Sequence, residues 1–418
     1  MTKRIYIFAA ILVSVGLLFA SIGPVVATDE LWVETYGGSD YDQFDGMVAL
    51  ADGGFAMAGG YLEPGEEYMD MWLVRADSTG SLIWQERYTE PSHLAELAYS
   101  MIEVSTGGFL LAGQADGGTG WIVRTDNGGG MVWNSTFSFI GSQIPKSCFE
   151  CSDGGFVLAG EEFLMKVDSD GNHLWNRTYE TANAPEFGLN NIHDVIETDA
   201  GNFVMTGWTS SLGAGEWDVW LLKTNANGVE YWNTTFGGVE YDRGYSVIEV
   251  STGGYAIIGS VQEPDAGTFA WLIRVDSTGD LLWNQTYVES DSLSTPQCEG
   301  RDVVECSDGG FAISGDISGI EGGSEILLVR TDSNGDYSWH KYYGGPGDDY
   351  GKVVAELASG GFAVAGETRD EMATTSDGIL VVFEDSAPAG PPPDYTLVIV
   401  GGAAVVVILV IVLFIRRR

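Results

Sequence analysis

Positive charge is scarce in this chain: 19 Lys plus Arg stand against 60 Asp plus Glu in 418 residues, a formal charge of -41. A polyanion would meet a surface of its own sign with few bases to neutralise its phosphates, so nucleic acid is not an expected partner. Histidine is rarer still, with His93, His173, His193 and His340 scattered over the chain. No paired imidazole, nucleophile elbow or phosphate-binding loop is present, and an enzyme is not expected. Cysteine is limited to four residues, none adjacent to another. Between the two ends no long stretch carries helical periodicity. What the chain does have is 44% hydrophobic and 12% aromatic residues, too many for a disordered polymer, so the acids must coat a packed body.

The ends give the expected address. Residues 1–27 open with Lys3 and Arg4, run apolar from Ile5 to Phe19 and finish on Pro24-Val25-Val26-Ala27, the layout of a secretory signal peptide; a retained anchor is the alternative. Residues 395–415 carry no charge and, as a helix, would span about 30 Å of hydrocarbon. Arg416, Arg417 and Arg418 follow, so the expected topology is single-pass in the cell membrane, with the N-terminus outside and a cytoplasmic tail at 416–418. Residues 386–394 hold Pro388, Pro391, Pro392 and Pro393 and read as a short stiff stalk. Setting aside the five bases of the two ends leaves 14 of the 19 against all 60 acids in the part expected to be exported, residues 28–394.

That body repeats. Seven aromatics, Phe55, Phe109, Phe156, Phe203, Tyr255, Phe311 and Phe362, each follow a glycine-containing turn and precede a glycine four residues on. Seven tryptophans, Trp32, Trp84, Trp133, Trp175, Trp232, Trp283 and Trp339, each precede a Tyr or Phe by four residues, placing both rings on one face of a strand. Upstream of most of them comes an apolar strand, a Lys or Arg, and a turn such as Asp77-Ser78-Thr79-Gly80, which is hairpin chemistry. Each unit therefore reads as four strands in about 51 residues. The chain opens on a Trp strand without partners, and its last unit lacks one. Those complementary halves make one whole unit, so the expected fold is all-β: a seven-bladed β-propeller closed by the N-terminal strand, plus one C-terminal transmembrane helix. A large side chain two residues after each repeated aromatic and a mostly small one three after it would let adjacent blades interlock. The tryptophans are the expected blade-packing residues.

The segment Ala76-Asp77-Ser78-Thr79-Gly80-Ser81-Leu82-Ile83-Trp84 resembles the docking motif of pyrroloquinoline-quinone-type propeller repeats. The full unit, with Tyr343-Gly344-Gly345 and Ser307-Asp308-Gly309-Gly310-Phe311, is more similar to archaeal and bacterial cell-surface propellers carrying W-x-x-x-Y-G-G and S-D-G-G-F phrases. That resemblance covers residues 30–385 and implies a fold and surface display, not a task. Quinone binding is not carried over: the Asp-to-Gly spacing is one residue shorter, and the adjacent cysteines of the quinone enzymes are missing. No cofactor is expected.

Candidate sites follow from residue chemistry. Four cysteines in an exported chain suggest the local disulfides Cys148 with Cys151 and Cys298 with Cys306; buried free thiols are the alternative. Asn134, Asn176, Asn233 and Asn284, each directly after a Trp, lie in Asn-x-Ser/Thr glycosylation patterns. Acids in the connections of one rim, Asp40, Asp42, Asp242, Asp348 and Asp349 together with Asp70 and Asp218, are candidates for holding calcium, with solvated turns as the plainer reading. The expected function is a membrane-anchored binding or adhesion module for an extracellular protein, glycan or envelope component. A polysaccharide hydrolase or lyase using rim carboxylates, and a passive envelope component, are the alternatives.

Overall fold

The structure, a computed structural model, describes residues 30–386 apart from 92–93, 117, 138–143, 180–189, 288–296 and 319–322. The expected leader, transmembrane helix and basic tail, the stalk beyond Ser386, and His93 lie outside the described residues. Among the described residues every named element is a strand, and no helix is long and apolar enough to cross a membrane.

The 28 strands form five four-stranded sheets and one eight-stranded sheet. A single parallel pairing, Thr268 with Gln297, joins the two halves of the larger sheet. Within each unit consecutive strands run antiparallel, as in Asp42–Ala49, Phe55–Tyr61, Asp70–Ala76 and Leu82–Tyr88. The exception is the first strand, Glu30–Tyr36, which pairs with Ser376–Phe383 near the other end of the described chain, setting Trp32 opposite Val382 and Glu34 opposite Leu380. This arrangement is that of a β-propeller.

Local chemistry explains the repeated phrases. In the hairpin turn, the Asp77 carboxylate accepts the amides of Thr79 at 2.8 Å and Ser81 at 3.1 Å, and Asp126, Asp168, Asn225, Asp276 and Asp332 do the same in their own units. Such an Asx turn fixes the strand reversal. Gly80 adopts φ +82°, and a Cβ there would lie 2.6 Å from the Trp32 ring. Only glycine lets the neighbouring indole close over the turn.

Each of the seven repeated tryptophans packs on the repeated aromatic of the next unit, from Trp32 on Phe55 at 5.9 Å to Trp339 on Phe362 at 6.0 Å between ring centres. The hydroxyls of Tyr36, Tyr88, Tyr179 and Tyr287 donate to the carbonyls of Gly80, Gly129, Gly228 and Gly335 in the next unit, and burial raises all four phenols above their ordinary pKa. Between sheets the cores combine large and small side chains: Met57 shares a cluster with Ala365, Leu111 with Ala58, Leu158 with Ala112 and Met205 with Ala159.

The cysteines depart from the expected pairing. All four are buried, and none is joined in a disulfide. Cys148 packs with Leu110 and Phe156 in one core cluster, and Cys151 with Phe203 and Met205 in the next. Cys298 and Cys306 are divided between clusters in the same way. Nearness in sequence does not bring these side chains together: alternation along the chain turns Cys148 and Cys151, three positions apart, to opposite faces, and the bulge between Gly300 and Asp302 does the same for Cys298 and Cys306.

Candidate functional site

The innermost strands converge on a common axis. In six of them the ladder carries a β-bulge early in the strand, and the extra residue is Asp45, Tyr99, His193, Tyr245, Arg301 or Lys352. A bulge re-aims its side chain out of the sheet. Lys146, just ahead of the strand Ser147–Glu150, occupies the seventh equivalent position. All seven line a cavity of ≈ 160 Å³ that reaches the next residues along the strands, such as Ser147, Asp194, Ser246 and Asp302, and all but Tyr245 also line one of ≈ 380 Å³ at the mouth.

The charge of this funnel opposes that of the protein. Lys146, Arg301, Lys352 and Arg369 line the outer cavity against Asp45 and Glu367. Arg243 stands beside them, 3.6 Å from Glu299. Five of the 14 bases in residues 28–385 thus gather at one mouth. Most are held. Arg301 donates to Glu299 at 2.7 Å and to Asp316 at 3.0 Å and lies over the Tyr245 ring. Lys352 sits 2.6 Å from Asp45 and 3.7 Å from Glu367, whose other partner is Arg369 at 2.6 Å. Lys146 is different. Its ammonium lies 3.5 Å from the centre of the Tyr99 ring and has no ion pair or hydrogen bond among the described residues. Burial lowers its pKa.

His193 directs Nδ1 at the Tyr245 carbonyl, 3.0 Å away, which fixes that nitrogen as the donor. Burial, reinforced by Lys146 and Arg301, pushes its pKa down to about 4, so the ring is neutral at pH 7. From His193 an aromatic wall climbs outward through Tyr245 and Trp208 to Trp217 and Tyr241, with the Arg243 guanidinium 4.7 Å from the Trp217 ring. Beneath the funnel two buried carboxylates lace neighbouring units. Asp194 accepts the Ser147 hydroxyl at 2.7 Å and the Val247 amide at 2.9 Å, and Asp302 accepts Ser246 at 2.8 Å and Val354 at 3.0 Å. The inner strands are thereby tied to one another, and the axial side chains rest on a fixed frame.

The rim acids do other work. Asp42 accepts the amides of Gly38 at 2.6 Å and Leu62 at 2.8 Å, and Asp242 those of Gly238 at 2.6 Å and Gln262 at 2.9 Å. Asp349 takes the Gly345 amide, Asp348 that of Ser324, and Asp218 those of Ala214 and Gly215. Asp40 offers its backbone carbonyl to Ser376, and Asp70 lies 3.7 Å from Arg87. Among the described residues no group of three or more His, Cys, Asp or Glu is placed to hold a metal ion. The carboxylates of Asp42, Asp218, Asp242, Asp348 and Asp349 accept loop amides, so these five acids shape the connections. At Gly237 a Cβ would run into both Asp218 and Asp242, and burial lifts Asp242 to about 6. Asp168 likewise serves its hairpin turn, through the amides of Asp170 and Asn172.

The four sequon asparagines all lie on outer strands, two of them accepting a tryptophan Nε1–H: Asn134 from Trp121 at 3.2 Å and Asn284 from Trp271 at 3.0 Å. Asn233 donates to Glu230, and Asn176 meets His173.

Sequence reasoning looked at the rim and missed the axis. Yet the axial residue stands ten positions before the repeated aromatic in all seven units. Read down the repeats, that column is Asp, Tyr, Lys, His, Tyr, Arg, Lys, a chemically varied position inside a phrase whose other positions recur.

No known family profile and no curated protein matches the chain. Solved structures do. Raptor from Chaetomium thermophilum is similar at 9% identity and TM-score 0.53, over 85% of this chain and 30% of that one. The Pan2 WD40 domain of Neurospora crassa aligns at 8% identity and TM-score 0.49, over 84% and 100%. The extracellular domain of the one-component system BT4673 from B. thetaiotaomicron aligns at 11% identity and TM-score 0.48, over 86% and 43%. At such identities the likeness speaks of fold alone.

Proposed function

We propose that this protein is a membrane-displayed extracellular binding module whose axial funnel captures an anionic group, such as a carboxylate, on an envelope glycan or protein. The observation that carries it is the axial column itself: residues about fifty apart in sequence meet at one mouth, where bases outnumber acids in a protein of charge -41. Lys146 is the anchor, since its ammonium faces the cavity without an ionic partner among the described residues. The aromatic wall from His193 to Trp217 would give such a ligand an apolar face to lie against while its charge enters the funnel. In this reading the ectodomain is a ring of seven blades over residues 28–385. Its support is the pairing of Trp32 with Val382 and the seven Trp–aromatic contacts that lead from unit to unit. The leader at 1–27, the stalk and the helix at 395–415 supply export and display. The module itself is non-catalytic.

The test is a binding screen of the full-length chain in detergent against uronate-bearing and neutral oligosaccharides and against acidic and neutral peptides. Acidic probes should bind and neutral ones should not, and Lys146→Ala should weaken binding at least tenfold without lowering the melting temperature. Equal binding of charged and neutral probes would overturn the reading. The hydrolase alternative needs a carboxylate pair beneath an open aromatic face. The acidic pocket at the outer rim has carboxylates, but the Arg87 guanidinium already covers its Tyr61 ring at 5.0 Å.

A further inference from the structure

Away from the axis, on the same rim, lies a larger cavity of ≈ 870 Å³ formed by the unit of residues 42–88 and the connection that leaves it. Five carboxylates line it, Glu63, Glu66, Asp70, Glu86 and Glu96, against the single base Arg87. Arg87 is already engaged: it pairs with Glu63, approaches Asp70 at 3.7 Å and stacks on Tyr61. The cavity therefore holds one guanidinium in a cage of acids and an aromatic ring, and keeps an excess of negative charge. An acidic surface alone would mean little in so acidic a protein.

Glu96 makes the difference. It lines the cavity and is 1% exposed, and its Oε1 has no hydrogen-bond partner among the described residues. A buried carboxyl oxygen left unpaired is costly, and native structures keep few of them without a purpose. Burial first, then the charges of Asp70, Asp116 and Glu90, push its pKa up to about 7, against a hydrogen bond from the Glu90 backbone that lowers it. The remaining charged groups around it are Glu63, Glu66, Glu86 and Arg87.

We propose that this cavity is a second binding site, specific for an organic cation bearing an alkylammonium or guanidinium group, with Glu96 as the buried carboxylate that receives it and Tyr68 as the open ring beside it. A metal ion fits the observations less well. No cluster of three ligating side chains is assembled among the described residues, and the volume lies within the usual range for small organic ligands, roughly 300–1,000 Å³. Tyr68 is 41% exposed, so its face remains accessible to a cation. Arg87 shows the geometry the site accepts.

The experiment is calorimetric titration of the full-length chain in detergent with 1,5-diaminopentane and with agmatine at low ionic strength. Saturable binding with one site per chain is expected. Glu96→Gln should weaken it at least tenfold, and Tyr68→Ala, a substitution at an exposed position, should weaken it several-fold. Asp170→Asn, in an exposed hairpin turn, and Lys146→Ala at the axis should leave it unchanged. At pH 6 binding should release close to one proton, read from titrations in two buffers of different ionisation enthalpy, and Glu96→Gln should release none. Non-saturating uptake reduced equally by Asp170→Asn would mean diffuse attraction to an acidic surface and would overturn the proposal. So would a calcium isotherm lost in Glu96→Gln while the diamines fail to bind. Because the axial variant is silent here, failure of this site and failure of the anion-binding funnel are read separately.

Discussion

The Lys352 ammonium and the Asp45 carboxylate, 307 residues apart in sequence, meet at 2.6 Å at the mouth of the axial funnel. The pair joins the first and last inner strands, beside the seam where the N-terminal strand completes the final sheet. Both side chains are largely buried, with 25% and 13% exposure. Lys352→Ala strands Asp45 and Glu367 without this cation and should cost about 1–2 kcal/mol, less than a fully buried pair because water still reaches the ammonium. Urea unfolding measures it. The double variant with Asp45→Asn should recover part of the loss, and a double variant no better than Lys352→Ala would refute the coupling.

Trp175 offers the clearest test of packing between units. Its ring meets Phe203 at 6.1 Å and the hairpin glycine Gly228 of the next unit. Trp175→Ala should destabilise by about 3–5 kcal/mol, through lost burial and the cavity left behind. Hydrogen exchange should accelerate in both neighbouring sheets, Ser147–Thr178 and Asn190–Phe236, before it does in distant ones. Exchange rising in one sheet only would contradict the shared role.

Stability should increase on mild acidification. Burial raises Asp242 and Asp302 to about 6 and Glu96 to about 7, above their unfolded values. Between the unfolded and folded pKa values the native state binds more protons than the unfolded one, so stability falls as pH rises through that window. His193, depressed to about 4, acts in the opposite sense below about pH 6.5, but as one group against three. The melting temperature of the wild type should therefore be higher at pH 5.5 than at pH 8. A flat or reversed profile would show that these carboxyls are not buried as described.

The thiols should be inert. Burial pushes Cys148 and Cys306 up to about 12 and Cys151 to about 11, and all four cysteines are sequestered in inter-sheet cores. A thiol-reactive chromophore should label none of them in the native protein and four after denaturation without reductant. Labelling of fewer than four in the denatured chain would reveal disulfides.

Much of the framework was legible because it is periodic. The Trp and aromatic positions, the hairpin Asp and the glycines recur since every unit must meet its neighbour in the same way, and each recurrence names a contact: Trp32 on Gly80, Tyr88 on Gly129. The rim aspartates were visible too, but their task was not. Asp42 and Asp242 are consumed by amides of connections whose folding places those amides within reach, and composition carries no trace of that.

Sequence by itself determined the repeat, the strand count within each unit and the partnership of the two chain ends, because burial along a strand obeys a short period that any reader of the chain can follow. Only the tertiary structure decided where chemistry concentrates. Asp45, Tyr99, Lys146, His193, Tyr245, Arg301 and Lys352 never fall near one another along the backbone, and the curvature that brings their bulged strands to one axis arises from sheets packing side against side. The same packing separated Cys148 from Cys151 and left Glu96 buried with an oxygen unpaired among the described residues. Such juxtapositions depend on how faces meet, which local pattern does not encode.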